Sequence, residues 1–517
     1  MKLTWIRFSR VIFYILLLAL SFLGFVLVYY ASQKYKIGIS PDSIQYIGTA
    51  RNLLSGTGFT TYNNSPLVLF PPLYSIFLAL FGLLFQTDPL LLANVFNAVL
   101  FSIIILLSGF ITYQLTQNSL ILSILASLTI VFSTPLYMVT TMAWSETLFI
   151  FFIILFFSLL YLFSYKHQTI IFISFSVISA FAILTRYIGV VLIPVGIITI
   201  FLLSTIKRKD KFVFSFIFIL ISSLPLGIWF IRNFLLTGTF TGSRQFSSFS
   251  LFENFQSMII TLSKWFLPSE IPVSRFLIAL VFLMVGFIIG YFMREFSNIK
   301  FFFTPLEFAL LSFILVNIIF LLLSSISSFW QLIDNRYLSP IFIPTTILIF
   351  TLVGKLKGNN KTKLSSYFYL LPTLLISLFF TFNQISSTMY YRKNLPSIRL
   401  GYNTQMSLTN DTLKYLIENP TIVNNCQIYT NNPIAVDFIA YFPAETIPSK
   451  ITLPISSIVV DDITNLYGTW PTQKSCLIWF NSDEDPNLYS ISELQKIVYI
   501  EKLVSLKDGS IYYIDKK

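Results

Sequence analysis

Six residues carry the chemistry this sequence could do: Asp42, Glu146, Arg186, Arg232, Arg244 and Arg336. Residues 1–385 contain only nine acids, so each is informative. Asp42 lies in "ISPDSIQYIGTARNLLSGTGF", where Ser40 reads as an N-cap and Pro41 as a first-turn residue. Glu146 heads an apolar run in "TMAWSETLF". Either acid is accounted for as a carboxylate placed to suit a helix dipole. Either is equally suited to proton transfer, because an ionisable group beside a long apolar segment is a functional candidate. The arginines stand in "LTRYIGVVLIP", "IWFIRNFLLTGTFTGSR" and "LIDNRYLSP". One reading is a guanidinium snorkelling to a membrane surface. The other is a bidentate, permanently charged fork for phosphate oxygens. Asp334 is available as an ion-pair partner of Arg336.

The elements that position these residues follow from composition. The chain has 517 residues, 55% hydrophobic and 11% charged, with a mean hydropathy of +0.77. A soluble domain carries about 25% charged residues, so an ordinary globular enzyme, a disordered chain and a disulfide scaffold are excluded. What remains is a polytopic α-helical membrane protein. The net charge of +12 is divided unevenly. Residues 1–385 hold 23 of the 34 basic residues and nine of the 22 acids, whereas residues 386–517 are close to neutral. The basicity therefore belongs to the membrane part and is no nucleic-acid signature.

A span needs roughly 20 apolar residues. Eleven are expected, at 10–30, 92–115, 119–138, 146–165, 170–187, 188–206, 212–231, 272–293, 302–326, 337–354 and 365–385. The first follows Lys2, Arg7 and Arg10 and reads as a signal anchor with a cytoplasmic N-terminus. Eleven basic residues then fall in the even-numbered gaps, among them Lys207, Arg208, Lys209 and Lys211. This agreement requires that the stretch 66–86, bracketed by prolines, does not cross and instead forms a juxtamembrane or re-entrant helix on the outer side. Outer loops at 31–91 and 232–271 complete a transmembrane domain of residues 1–385. On a flat-lying helix after Asp42, Ile44, Ile47, Leu54 and Phe59 would face lipid. Glu307, near the cytoplasmic end of its span, would snorkel.

Residues 386–517 form an extracytoplasmic α/β domain. Strands are expected in "CQIYT", "SCLIWF" and "EKLVSL…SIYYID", the last pair turning at Asp508-Gly509. "PIAVDFIAYF" and "ISELQKI" read as short helices. Cys426 and Cys476 are the only cysteines, and a disulfide and a pair of buried thiols both fit. The lone histidine, His167, gives no metal site. No phosphate-binding loop, dinucleotide fingerprint or zinc motif is present.

The order of "PDSIQYIGTARNLLSGTGF", "FPPLYSIFLAL", "LTRYIGVVLIP", "WFIRNFLLTGTFTGSR", "RYLSPIFIP" and "IYTNNPIAVDFIAYFPAE" resembles the GT-C superfamily of polytopic glycosyltransferases. The similarity is to the bacterial protein mannosyltransferase-like and aminoarabinose-transferase-like branch. It implies a GT-C-like fold in the inner (plasma) membrane and a sugar donor on polyprenyl phosphate or pyrophosphate. The acceptor, a protein, lipid or polysaccharide, would attack at the outer face. By this resemblance Asp42 acts on the acceptor, Glu146 is the second-loop acid, and Arg186, Arg232 and Arg336 bind donor phosphate, with Arg244 a further phosphate candidate. Asp42 lacks an adjacent second acid and no Asp-x-Asp element lies near Glu146, so no cofactor is called for and a divalent metal finds no support. Without a covalent nucleophile, transfer inverts the anomeric carbon, Asp42 serving as general base. A transporter or flippase of a lipid-linked or polar substrate is the competing reading. It would place charges at the bilayer midplane, often in repeats, which this sequence lacks.

Overall fold

The computed structural model describes residues 2–32, 36–62, 65–242, 247, 249–268, 303–326, 332–357, 363–398, 410–424, 426–440, 442–451, 458–481 and 485–517. The expected span 272–293 and Arg244 lie outside the described residues. The chain divides into two compact units. One comprises 1–31, 68–77 and 92–394, and the other 32–67, 78–91 and 395–517.

The first unit is helical. Its elements are α1 (Lys2–Ala31), most of α4 (Pro89–Leu115), α5 (Leu120–Val131), α6 (Thr134–Thr140), α7 (Glu146–Lys166), α8 (Thr169–Thr185), α9 (Leu192–Leu202), α10 (Arg208–Thr237), α11 (Leu251–Phe266), α12 (Pro305–Ser325), α13 (Asn335–Lys357) and α14 (Lys363–Ile398). Between these, α2 (Pro41–Leu54) belongs to the second unit, and the boundary between units runs through α3 (Leu73–Phe85). Among the described residues, six helices are long and apolar enough to cross a bilayer: α1 from Arg10, α4, α7, α10, α12 and α13 to Lys355. Such segments must be helical because lipid offers no partner for backbone N–H and C=O groups.

Two expectations about spans change. The run 119–138 is not one straight helix: α5 and α6 meet at 47°. The cause is local, since Pro135 opens α6 and the Ser133 hydroxyl accepts the Leu136 N–H as its N-cap. The pair expected at 170–187 and 188–206 is a helical hairpin of shorter pieces, the 17-residue α8 and then a 3-10 turn at Tyr187–Val191 leading into α9. Gly189 is required there. A Cβ on it would lie 2.7–2.8 Å from the backbone of Ala182 and Ile183, so the turn folds directly onto α8. The 66–86 stretch contains α3, whose 13 residues extend only about 20 Å. Glu307 does not snorkel. It is 1% exposed, caps α12 with Thr304 and pairs with Lys355 of α13.

The second unit is built on a five-stranded sheet: β1 (Gln427–Thr430), β2 (Ala444–Thr446), β3 (Ser475–Phe480), β4 (Val498–Ser505) and β5 (Gly509–Lys516). The order is β2-β1-β3-β5-β4, with β1 parallel to β2 and β3, and β5 antiparallel to β3 and β4. Central β3 is buried along its whole length, and alternation sends Cys476, Ile478 and Phe480 to one core and Leu477 and Trp479 to the other. Cys426 and Cys476 form a disulfide. The "PIAVDFIAYF" segment holds a π-helical turn, Ala435–Ile439, and a short α-helix (α16, Ile491–Leu494) follows in "ISELQKI". The helix α15 (Asp411–Glu418) packs its apolar side into the first core.

Helix α2 belongs to this unit. Its start is as read from sequence, with Pro41 in the first turn and a reciprocal Ser40–Ser43 capping box. Of the four apolar residues expected to face lipid, Leu54 is 40% exposed and Phe59 partly exposed, but Ile44 and Ile47, 1% and 0% exposed, are buried by protein. The backbone of Tyr62 packs so closely on α2 that a Cβ at Gly48 would sit 2.9 Å from the Tyr62 Cα.

Candidate functional site

The helical unit gathers Glu146, Arg186 and Arg336 around one oxygen. Arg186 Nη1 lies 2.6 Å from Glu146 Oε1, and Arg336 Nε lies 2.5 Å from the same atom. Glu146 is 1% exposed, while the arginine side chains are 20% and 11% exposed. Burying a carboxylate is tolerable only if it is paired, and two guanidiniums do that here. Asp334 lies close enough to interact with both Arg336 and Glu146, so the cluster holds two guanidiniums and two carboxylates. Glu146 Oε2 is buried and has no hydrogen-bond partner among the described residues.

Each member is held by its own element. Glu146 is the first residue of α7, and preceding Ser145 accepts a second bond from Arg186 Nη1 at 3.2 Å. Arg186 terminates α8 in an extended conformation, φ −148°, which turns its side chain out of the helix before the 3-10 turn. Arg336 is the second residue of α13 and stacks on Trp144, its guanidinium 3.9 Å from the ring centroid. A cation over an indole face is held in place as well as stabilised. The lead-in to α13 is pinned by α11: Asn254 Oδ1 accepts the Ile333 N–H, Ser257 Oγ donates to Ile333 O, and Trp265 Nε1 donates to Asn335 Oδ1. Asp334, expected as the pair of Arg336, accepts its backbone N–H at 2.9 Å and so caps the helix, and its carboxylate also attracts the Arg336 charge.

Arg232 stands on α10 with its guanidinium 4.5 Å above Trp229, and it donates to Asn233 Oδ1. Trp229 Nε1 in turn donates to the Tyr187 hydroxyl, whose proton goes to Val68 O at 3.0 Å. Arg232 therefore belongs to the same side-chain network as the residue that follows Arg186. Asp42 lies in the other unit, at the partly exposed first turn of α2.

Solved structures show what this arrangement of helices and sheet is similar to. ArnT from Cupriavidus metallidurans bound to undecaprenyl phosphate aligns over 96% of this chain and 97% of its own, with a TM-score of 0.59 and 12% identity. The chain has the GT-C fold. AglB, the oligosaccharyltransferase of Archaeoglobus fulgidus, solved with an inhibitory peptide and a dolichol-phosphate, aligns over 90% of this chain and 69% of its own, with a TM-score of 0.51 and 12% identity. The mycobacterial arabinofuranosyltransferase AftD aligns over 97% of this chain and 40% of its own, with a TM-score of 0.50 and 14% identity. No family model and no curated protein matches the sequence.

Sequence reasoning missed a second cluster, in the sheet-bearing unit. Arg51, in the last turn of α2, forks onto Asp88 (Nε–Oδ2 2.8 Å, Nη2–Oδ1 3.4 Å) and reaches Asp437 at 3.5 Å. Its guanidinium also lies 4.9 Å from the Phe438 ring centroid. Burial pushes the Asp437 carboxyl up to about 6, with Asp88 adding to the rise and Arg51 opposing it. Trp144 and Tyr187 were likewise missed, as an aromatic beside a candidate charge leaves no local signal. Among the described residues, no group of three or more His, Cys, Asp or Glu could hold a metal ion.

Proposed function

We propose that this protein is a membrane glycosyltransferase that takes a sugar from a polyprenyl-phosphate donor and passes it to an acceptor at the outer face of the membrane. The observation that carries this reading is the shared carboxylate: Glu146 holds the Arg186 and Arg336 guanidiniums together in a buried fork within a GT-C fold. Glycosyl transfer from a lipid phosphate generates a phosphate leaving group. Fixed guanidiniums suit its growing charge, and they need no reorganisation during reaction because Glu146 and Trp144 already orient them. Glu146 is then a positioning residue, since its carboxylate is spent on the arginines. Arg232, whose contacts run through Trp229 to Tyr187 beside Arg186, and Arg244 are further donor-phosphate contacts in this reading.

Asp42 is the general base. The acceptor O–H gives its proton to an Asp42 oxygen as the acceptor oxygen bonds to the anomeric carbon. The bond from that carbon to the phosphate oxygen breaks, its electron pair staying on the departing polyprenyl phosphate. Configuration inverts. The N-terminus faces the cytoplasm of a plasma (inner) membrane, and the domain 386–517 lies outside it, following the loop charges.

The test uses the full chain in lipid nanodiscs with a panel of pentose and hexose polyprenyl-phosphate donors, reading release of polyprenyl phosphate. Activity with one donor that disappears in Asp42→Asn supports the reading. Full activity of a folded Asp42→Asn removes the general base. Donor movement between leaflets without cleavage would instead establish the flippase.

A further inference from the structure

Helix α2 is fixed at both ends. Its start is locked by Pro41 and the Ser40–Ser43 box, and its end by Arg51 and Asn52. Asn52 Nδ2 donates to Thr60 O, Thr60 Oγ1 and Thr61 O, folding the following loop back along the helix. That loop delivers Tyr62, whose backbone packs on Gly48 and whose hydroxyl donates to Ala444 O on β2. The Tyr62 ring also lies 5.5 Å from Phe438, the residue under the Arg51 guanidinium. Helix α2 is thus fastened to one edge of the C-terminal sheet domain through the π-helical turn Ala435–Ile439 and through β2. π-Turns interrupt regular helices and often mark functional positions.

We infer that Arg51 is a positioning residue through which the C-terminal domain sets the orientation of Asp42. The inference rests on Asp42 being the base in the reading above. Nine residues separate Arg51 from Asp42, a rigid lever of about 13 Å. A small tilt at the Arg51 end therefore moves the carboxylate at the other. The Arg51 fork onto Asp88 and its stacking on Phe438 fix both the height and the rotation of that end. Asp88 is itself fixed, because its Oδ1 also accepts the Leu90 N–H at the start of α4. A lysine could keep the charge but not the planar fork. The C-terminal domain then belongs to the catalytic apparatus, as the abutment that holds the base.

Two measurements on the full-length protein in nanodiscs test this. The first is hydrogen exchange of residues 41–54, which needs no substrate: Arg51→Met should speed exchange across α2 while the β3 and β5 amides keep their protection. The second is donor turnover. Arg51→Met should lower kcat by about 10- to 100-fold, the scale of a misplacement near 1 Å, while KM for the donor stays within about threefold. Arg51→Lys should fall between Arg51→Met and the parent. Asp88→Asn, which can keep the Leu90 cap, is the second variant should Arg51→Met fail to fold, and it should repeat both effects. Unchanged exchange in α2, or an unchanged kcat in folded Arg51→Met, overturns the inference. An inactive Asp42→Asn alongside a fully active Arg51→Met overturns it while leaving the general base in place. An active Asp42→Asn overturns both, and the exchange data separate that outcome from a failure of the anchoring.

Discussion

Replacing Asp437 by Asn should stabilise the sheet-bearing unit, although it removes a residue 3.5 Å from Arg51. The Asp437 carboxyl is raised from its ordinary 3.8 to about 6, and burial is the largest cause. A raised carboxyl means that the folded protein prefers the neutral form. Its contribution to stability is complete below pH 3.8 and is lost as pH climbs through about 6. A rise of roughly two units corresponds to about 3 kcal/mol, at about 1.4 kcal/mol per unit. Arg51 opposes this rise and Asp88 adds to it, so the figure already nets both charges. Tyr62 faces the same acid, and burial together with Asp437 raises its phenol too. Asparagine mimics protonated aspartate. The variant should therefore gain up to about 3 kcal/mol over the parent at pH 8. The difference should shrink toward zero at pH 4. The assay is urea unfolding of the full chain in detergent, read by pulse proteolysis of peptides from 410–517 at pH 4.5, 6 and 8. Comparing variant with parent cancels the pH dependence of the other carboxylates. A variant less stable than the parent at pH 8 would mean that the Arg51 attraction outweighs the desolvation of Asp437, and the reasoning would be wrong.

Glu146→Gln should destabilise the helical unit by about 3–5 kcal/mol, because it leaves two guanidiniums facing each other in a buried place; an unshifted thermal midpoint in detergent would refute the pairing. Arg186→Lys and Arg336→Lys should each lower kcat/KM for the lipid donor by about tenfold or more, through loss of a charge-assisted fork. Equal activity in both would detach the arginines from phosphate. Opening the Cys426–Cys476 disulfide, which spans 50 residues, should cost the sheet domain about 4 kcal/mol by loop entropy, measurable as a lower urea midpoint in dithiothreitol. Gly48→Ala should cost about 1–3 kcal/mol from overpacking against the Tyr62 backbone, read as faster hydrogen exchange in α2; protection equal to the parent would show that the loop can yield.

The sequence alone determined what short-range physics dictates. Runs of about 20 apolar residues must be helices in lipid, and this placed α1, α4, α7, α10, α12 and α13. Period-two alternation gave β1, β3 and the β4–β5 hairpin, while Ser40 and Pro41 marked the start of α2. The bend between α5 and α6 was also written locally, in Ser133 and Pro135, but the long apolar run masked it. The candidate residues Asp42, Glu146, Arg186 and Arg336 could be named because charges are rare in such a chain.

Tertiary structure alone decided what those charges do. Glu146 and Arg336 are 190 positions apart, and no local pattern says that their side chains share a bond. The burial of Ile44 and Ile47 by protein likewise does not follow from the amphipathic pattern of α2, which is satisfied equally by lipid or by a folded partner. Hydrophobicity says that a face must leave water. Which surface receives it, and which distant charge meets which, is settled only when the chain closes on itself.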